Sequence, residues 1–177
     1  MNKLLFPQDV VGGSFWLISL AMIGAAIFFF LERGRLSKKW NTVMTLLGVI
    51  ALMSSIHYFY AKNLWVMNGQ APIALRYIDW TLTFPLQILT FYVMLISVTD
   101  VKRGMFWRLL VGTLVWVIAQ FLGAAGYMSV TLGFLVGLVG WLYIIGELYM
   151  GDAGRRNAAC GNEHVQMAFF ANRLIIT

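Results

Sequence analysis

The chain has 177 residues, 60% of them hydrophobic and 11% charged, where an average soluble domain carries roughly 25% charged residues. With a mean hydropathy of +0.78, this excludes an ordinary water-soluble domain and points to an integral membrane protein. The net charge of +6 does not indicate a nucleic-acid partner, because the basic residues stand in short clusters between apolar runs, a topology signal of membrane proteins.

Cys160 is the single cysteine, which rules out an intrachain disulfide framework or a multi-cysteine metal site. The start, Leu4-Leu5-Phe6, is interrupted by Pro7 and Asp9 and does not read as a cleavable signal peptide. One transmembrane domain over residues 1–177 is expected, with spans at about residues 14–31, 41–60, 76–97, 105–122 and 129–150. Ala61 to Leu75 reads as a loop with turn signals at Asn68-Gly69 and Pro72, and Gly151 to Asn162 reads as a polar loop. A sixth apolar stretch, residues 163–177, is fifteen residues long. At about 22 Å it falls short of a hydrocarbon core of about 30 Å, so a fragment of a longer protein is expected.

Basic residues alternate between the loops. Arg33, Arg35, Lys38 and Lys39 follow segment one; Lys102, Arg103 and Arg108 follow segment three; Arg155 and Arg156 follow segment five. The connection after segment two holds only Lys62, and that after segment four holds none. The positive-inside rule then puts the basic loops in the cytoplasm and the N-terminus outside.

Segment three opens with Arg76-Tyr77-Ile78-Asp79-Trp80-Thr81-Leu82-Thr83-Phe84-Pro85-Leu86. Ionisable groups at membrane depth are costly and normally mark a functional pathway. Arg76, Asp79 and Thr83 are spaced i, i+3 and i+7, one face of a helix. That is a carboxylate with a counter-charge one turn before it and a hydroxyl one turn after, the pattern of a site built around a buried charge.

This stretch resembles the third helix of microbial rhodopsins, and of proteorhodopsins in particular. The likeness extends to Ser14-Phe15-Trp16-Leu17, Phe28 to Arg33, Lys39-Trp40, His57-Tyr58, Tyr143 to Leu148 and Val165 to Phe169. It implies an all-α bundle of seven transmembrane helices, of which this chain holds the first five and the start of the sixth. It also implies retinal, bound as a protonated Schiff base to a seventh-helix lysine, and an outward light-driven proton pump rather than an enzyme. By the same resemblance Asp79 is the counterion and proton acceptor. Arg76 stabilises that acceptor, and His57, whose own charge changes near neutral pH, tunes it. Thr83 bonds the carboxylate or bonds back to the preceding turn. Trp80 flanks the polyene, with Trp141 and Tyr143 as candidate pocket surface from segment five; each is equally readable as packing. Gln87 lies on the face of Thr83 and Thr90, where glutamine accompanies blue absorption. A multi-pass protein of the bacterial inner membrane, in contact with the lipid bilayer and assembled as a pentamer or hexamer, completes the expectation.

Two departures stand against it. Thr90 occupies the position where pumping relatives carry a carboxylate as internal proton donor, and threonine cannot supply a proton at physiological pH. Glu147 reads as a boundary carboxylate rather than a substitute. The five lysines, Lys3, Lys38, Lys39, Lys62 and Lys102, all read as lying outside the spans, so none is placed to form the Schiff base. Arg173 falls where relatives carry apolar or small residues. A sensory photoreceptor and a retinal-free membrane protein are therefore the alternatives.

Overall fold

The computed structural model describes residues 5, 6, 8–70 and 73–177. Lys3, Leu4, Pro7 and the turn signal at Pro72 lie outside the described residues. The described residues form seven α-helices: α1 (Val10–Glu32), α2 (Asn41–Asn68), α3 (Ile73–Ile96), α4 (Arg103–Ala124), α5 (Val130–Tyr149), α6 (Asp152–Ala159) and α7 (Glu163–Ile176). The first five are long and apolar enough to cross a membrane. Only helices and closed barrels satisfy the backbone at that depth, and the sequence supplies helices.

The helix ends follow local chemistry. Asp9 accepts a hydrogen bond from the Gly12 amide at 2.8 Å, an N-cap that starts α1 four residues before the expected position. Ser129 and Asn162 cap α5 and α7 in the same way, through Leu132 and Val165. Helix α2 runs on to Asn68, where Gly69 at φ 68° closes it in the left-handed conformation. Most of the stretch from Ala61 to Leu75 expected as a loop is thus helical. The reason lies in Leu64, Trp65, Val66 and Met67, which extend the apolar run of α2. Trp65 also donates its indole N–H to both oxygens of Asp9 at 3.1 Å. Lys62, read as lying outside a span, is therefore inside α2. The polar loop from Gly151 to Asn162 likewise contains α6, whose Asp152 and Arg156 pair one turn apart at 2.9 Å.

Neighbouring helices pack in chain order, and α3 additionally touches α6 and α7. This makes α3 the shared wall of the bundle. Its buried face holds Thr83, Gln87, Ile88, Thr90, Phe91, Met94 and Leu95. The core gathers at the basic end, where Ile88, Phe91 and Leu95 meet Met105, Leu109, Ile144, Leu148 and Phe169. There Arg108 pairs with Glu147 at 2.8 Å and reaches Asp152 at 3.6 Å. Arg156 bonds Asp152 and the Asp100 carbonyl, so one ionic chain ties α4, α5 and α6 to the α3–α4 connection.

Helices α4 and α5 approach closely because small residues line their seam. A Cβ on Gly140 would stand 2.9 Å from both the Gly112 carbonyl oxygen and the Trp116 nitrogen. A Cβ on Gly146 would meet nothing within 4 Å. Backbone atoms cannot yield as a side chain can. Gly140→Leu is therefore expected to lower unfolding stability in detergent by on the order of 1–3 kcal/mol. Gly146→Ala should raise it by roughly 0.5–1 kcal/mol, the helix-interior cost of glycine. Paired unfolding curves of the two variants check both signs.

Candidate functional site

Asp79 lies two turns into α3, half-buried. Among the described residues its carboxylate takes part in none of the ion pairs, which join Arg35 to Glu32, Arg108 to Glu147 and Asp152, and Arg156 to Asp152. Arg76 and Asp79 form no ion pair with each other. Arg76 sits in the first turn of α3 and is exposed; a guanidinium there extends toward water, where its charge costs least. His57 of α2 does come to Asp79. The two border one cavity of about 270 Å3 between α2 and α3, with Met53, Ile56, Tyr60, Leu75, Ile78 and Leu82. The Nδ1 of His57 is buried without a hydrogen-bond partner.

The threonine hydroxyls of α3 are spent on its own backbone. Thr83 donates to the Asp79 main-chain carbonyl at 2.9 Å, not to its carboxylate. Thr81 and Thr90 donate to Tyr77 and Leu86 at 2.7 and 2.9 Å. Pro85, inside the helix, has no N–H for the Thr81 carbonyl. The threonines around it keep their own polar atoms satisfied where water is absent. Thr90 is fully buried, with no carboxylate in the core around it.

Trp80 belongs to an aromatic wall that spans α3 and α4. Its ring lies 5.5 Å from Tyr77, 5.7 Å from Phe84 and 6.3 Å from Trp116, and Phe84 packs on Trp116 at 4.6 Å. Trp116 was not singled out from the sequence, because aromatics are too abundant here for one tryptophan to signal anything. The two candidates from α5 part company. Trp141 donates its indole N–H to the Ile176 carbonyl at 2.9 Å and so ties α5 to α7. Tyr143 is exposed and lines an outer groove with Trp107, Val111 and Gly112, away from the α3 residues.

Gln87 reaches a partner the sequence reading missed. Its Nε2 donates to Oδ1 of Asn172 on α7 at 2.6 Å, and both side chains are buried. An amide in the middle of an apolar stretch was the available signal, since such groups bond across helices in membranes. Arg173 also has its place. Its guanidinium lies over the Tyr149 ring at 4.5 Å and the Phe169 ring at 5.2 Å. A guanidinium over ring faces is held by the attraction of the cation for the ring quadrupole. A cavity of about 550 Å3 between α2 and α7 does not border Asp79.

A sequence profile of the bacteriorhodopsin-like protein family matches residues 10–168. The chain belongs to the bacteriorhodopsin-like family. It is 43% identical over 169 residues to a blue-light absorbing proteorhodopsin of Gamma-proteobacterium Hot 75m4, covering 96% of this chain and 67% of that one. It is 39% identical over 172 residues to a green-light absorbing proteorhodopsin of Gamma-proteobacterium EBAC31A08, covering 97% and 69%. Among solved structures, that of the blue light-absorbing proteorhodopsin from Med12 superposes with a TM-score of 0.80 at 37% identity, over 96% of this chain and 75% of that one. The protein is thus a multi-pass membrane rhodopsin, of a family whose members bind retinal and act as light-driven ion pumps or photoreceptors, not as enzymes.

The buried amide pair gives a direct stability test. Gln87→Leu removes the donor from Asn172 and leaves its Oδ1 buried and unpaired, a loss of about 1–3 kcal/mol. Leu174→Ser, on the exposed face of α7, serves as the control and should show no comparable loss of the amide contact. Chemical unfolding in detergent distinguishes the two.

Proposed function

We propose that this rhodopsin serves an outward light-driven proton pump, with Asp79 as the primary acceptor. The observation that carries this reading is the half-buried Asp79 carboxylate, unpaired among the described residues, beside His57 in a rhodopsin fold. A carboxylate at membrane depth calls for a cation, and a protonated retinal imine is the cation that fits. Bound retinal would supply visible absorption and a light-driven change of shape.

The chain's own residues divide the remaining work. Trp80, Phe84 and Trp116 offer an apolar aromatic wall, their rings tilted against one another, for a conjugated polyene. With retinal bound, Asp79 would supply the counter-charge to a protonated imine and would be the group that accepts the proton the imine gives up. His57, sharing the cavity with Asp79, adjusts how firmly the carboxylate keeps its proton. Arg76, exposed at the start of α3, sets a positive potential on the exit side and favours release outward. Gln87 tunes absorption toward the blue. The basic loops support an orientation with α3's arginine end outside, and a bacterial inner membrane is the setting this reading takes. The apolar outer faces suit a ring of copies.

The residues fit retinal as wall and counter-charge, and no described lysine fits it as anchor. Lys62 lies on α2, but its ammonium sits over the Trp16 and Phe59 rings at 4.8 Å, engaged with α1 rather than α3. Lys39 lies 5.3 Å over its neighbour Trp40 at the basic end, and Lys38 and Lys102 belong to the same end.

A photosensor is the second reading, favoured by Thr90. With no acid at that buried position, reprotonation from the inside is slow, which suits a long-lived signal better than a fast cycle. The decisive experiment adds all-trans retinal to the purified chain and records the visible spectrum before and after hydroxylamine. A bleachable band supports retinal binding, and Asp79→Asn should shift it to the red by removing the counter-charge. Light-driven acidification of the medium around oriented vesicles, abolished in Asp79→Asn, identifies a pump. A band without pH change identifies a sensor, and the absence of any band refutes retinal binding by these 177 residues. Thr90→Asp should speed recovery of the dark state by up to ~10²-fold, the lower end of what a positioned proton donor contributes. Flash photolysis measures it.

A further inference from the structure

Between Asp79 and Thr90 the buried face of α3 carries three polar side chains, Thr83, Gln87 and Thr90. Both hydroxyls are committed to main-chain carbonyls one turn back. The Gln87 amide is half committed. Its Nε2 donates to Asn172 Oδ1 at 2.6 Å, and its Oε1 accepts no hydrogen bond from the described residues. Gln87 is 3% exposed and Asn172 6%, so both amides take their orientation chiefly from protein neighbours.

Asn172 sets it instead. The Nδ2 of Asn172 donates to the Ala168 carbonyl at 3.1 Å and points at the Met94 sulfur at 3.9 Å. Both are acceptors only, so this end of Asn172 must be its N–H2 group and the other end must be its oxygen. An oxygen facing Gln87 requires a donor in return. A flipped Gln87 would set oxygen against oxygen in a dry interior, where an unmet polar pair is costly. Each amide therefore fixes the next, from the α7 backbone through Asn172 to Gln87.

We infer that Asn172 is the positioning residue for Gln87, holding its amide N–H2 toward α7 so that the carbonyl oxygen is the end left free for a bound chromophore. This rests on the retinal reading for its ligand, while the pairing itself stands on the geometry. A carbonyl dipole near a conjugated cation stabilises positive charge at the nearest carbons. Its influence on absorption depends on which end points at the chromophore. Asn172 decides that end without touching the chromophore.

Two measurements test this. In retinal-loaded protein, Asn172→Leu should move the absorption maximum in the same direction as Gln87→Leu. In the Gln87→Leu background, Asn172→Leu should add no shift. An equal shift in that background, or none in the wild-type background, overturns the inference. The second measurement needs no retinal: solvent exchange of the Gln87 side-chain N–H2 protons in micelles, followed by NMR. They should exchange roughly tenfold more slowly in the wild type than in Asn172→Leu, the protection one net hydrogen bond of ~1.4 kcal/mol confers. Unprotected Gln87 protons in the wild type overturn the inference whether or not a band forms. Protected protons with no band in any variant leave the pairing standing and refute the retinal reading alone.

Discussion

Asp79 holds a carboxylate at membrane depth with none of the observed ion pairs to neutralise it, and the arrangement of the bundle answers to that one charge. Desolvating an ion costs several kcal/mol even after relaxation, so a fold that tolerates it must leave access to water or to a cation. The structure does this by keeping the site end of α3 loosely covered. Asp79 and His57 share a cavity, while the tightly packed core lies at the other end around Phe91, Leu95 and Phe169. Rigidity and access are separated along one helix. The packed half fixes where α3 stands, and the open half lets its carboxylate work.

The same separation explains the polar residues of α3. Toward the open end, Arg76 and Asp79 keep their charges near water or a cavity. Toward the packed end, Thr83, Gln87 and Thr90 are polar without being ionisable, and each has a partner on its own backbone or on α7. A carboxylate at Thr90 would face a core of aliphatic and aromatic side chains. Threonine fills that place at no electrostatic cost and gives up proton donation in exchange.

Much of this was legible in the sequence because membrane helices announce themselves through composition, and because the α3 motif places its polar residues at helical spacing. The burial of Thr83, Gln87 and Thr90 on one face follows from that spacing. Where the reading failed, the missing information was tertiary. Residues 61–68 looked like a loop because Lys62 and Asn63 interrupt the apolar run, yet Trp65 is held by Asp9, fifty-six positions away. Arg76 and Asp79 had the spacing of an ion pair, but spacing does not reveal that the first turn of α3 is open to water. Asn172 carried no motif, and its importance appears only when α7 is laid against α3. Tyr143 shared a segment with Trp141, and only the packing of α4 on α5 turns it outward.

The contacts between α1 and α2 form a closed set. Asp9 meets Trp65 at one end, Ser19 donates to the Ser55 carbonyl in the middle, and Phe30 fills the notch at Gly48 near the other. None of them needs a residue beyond Asn68. The α4–α5 seam is closed in the same sense, glycine against backbone. During synthesis, therefore, each hairpin can leave the insertion machinery as a finished pair, with its register already chosen. Helix α3 emerges between the two with its polar face uncovered, and the order of biogenesis becomes the order of burial.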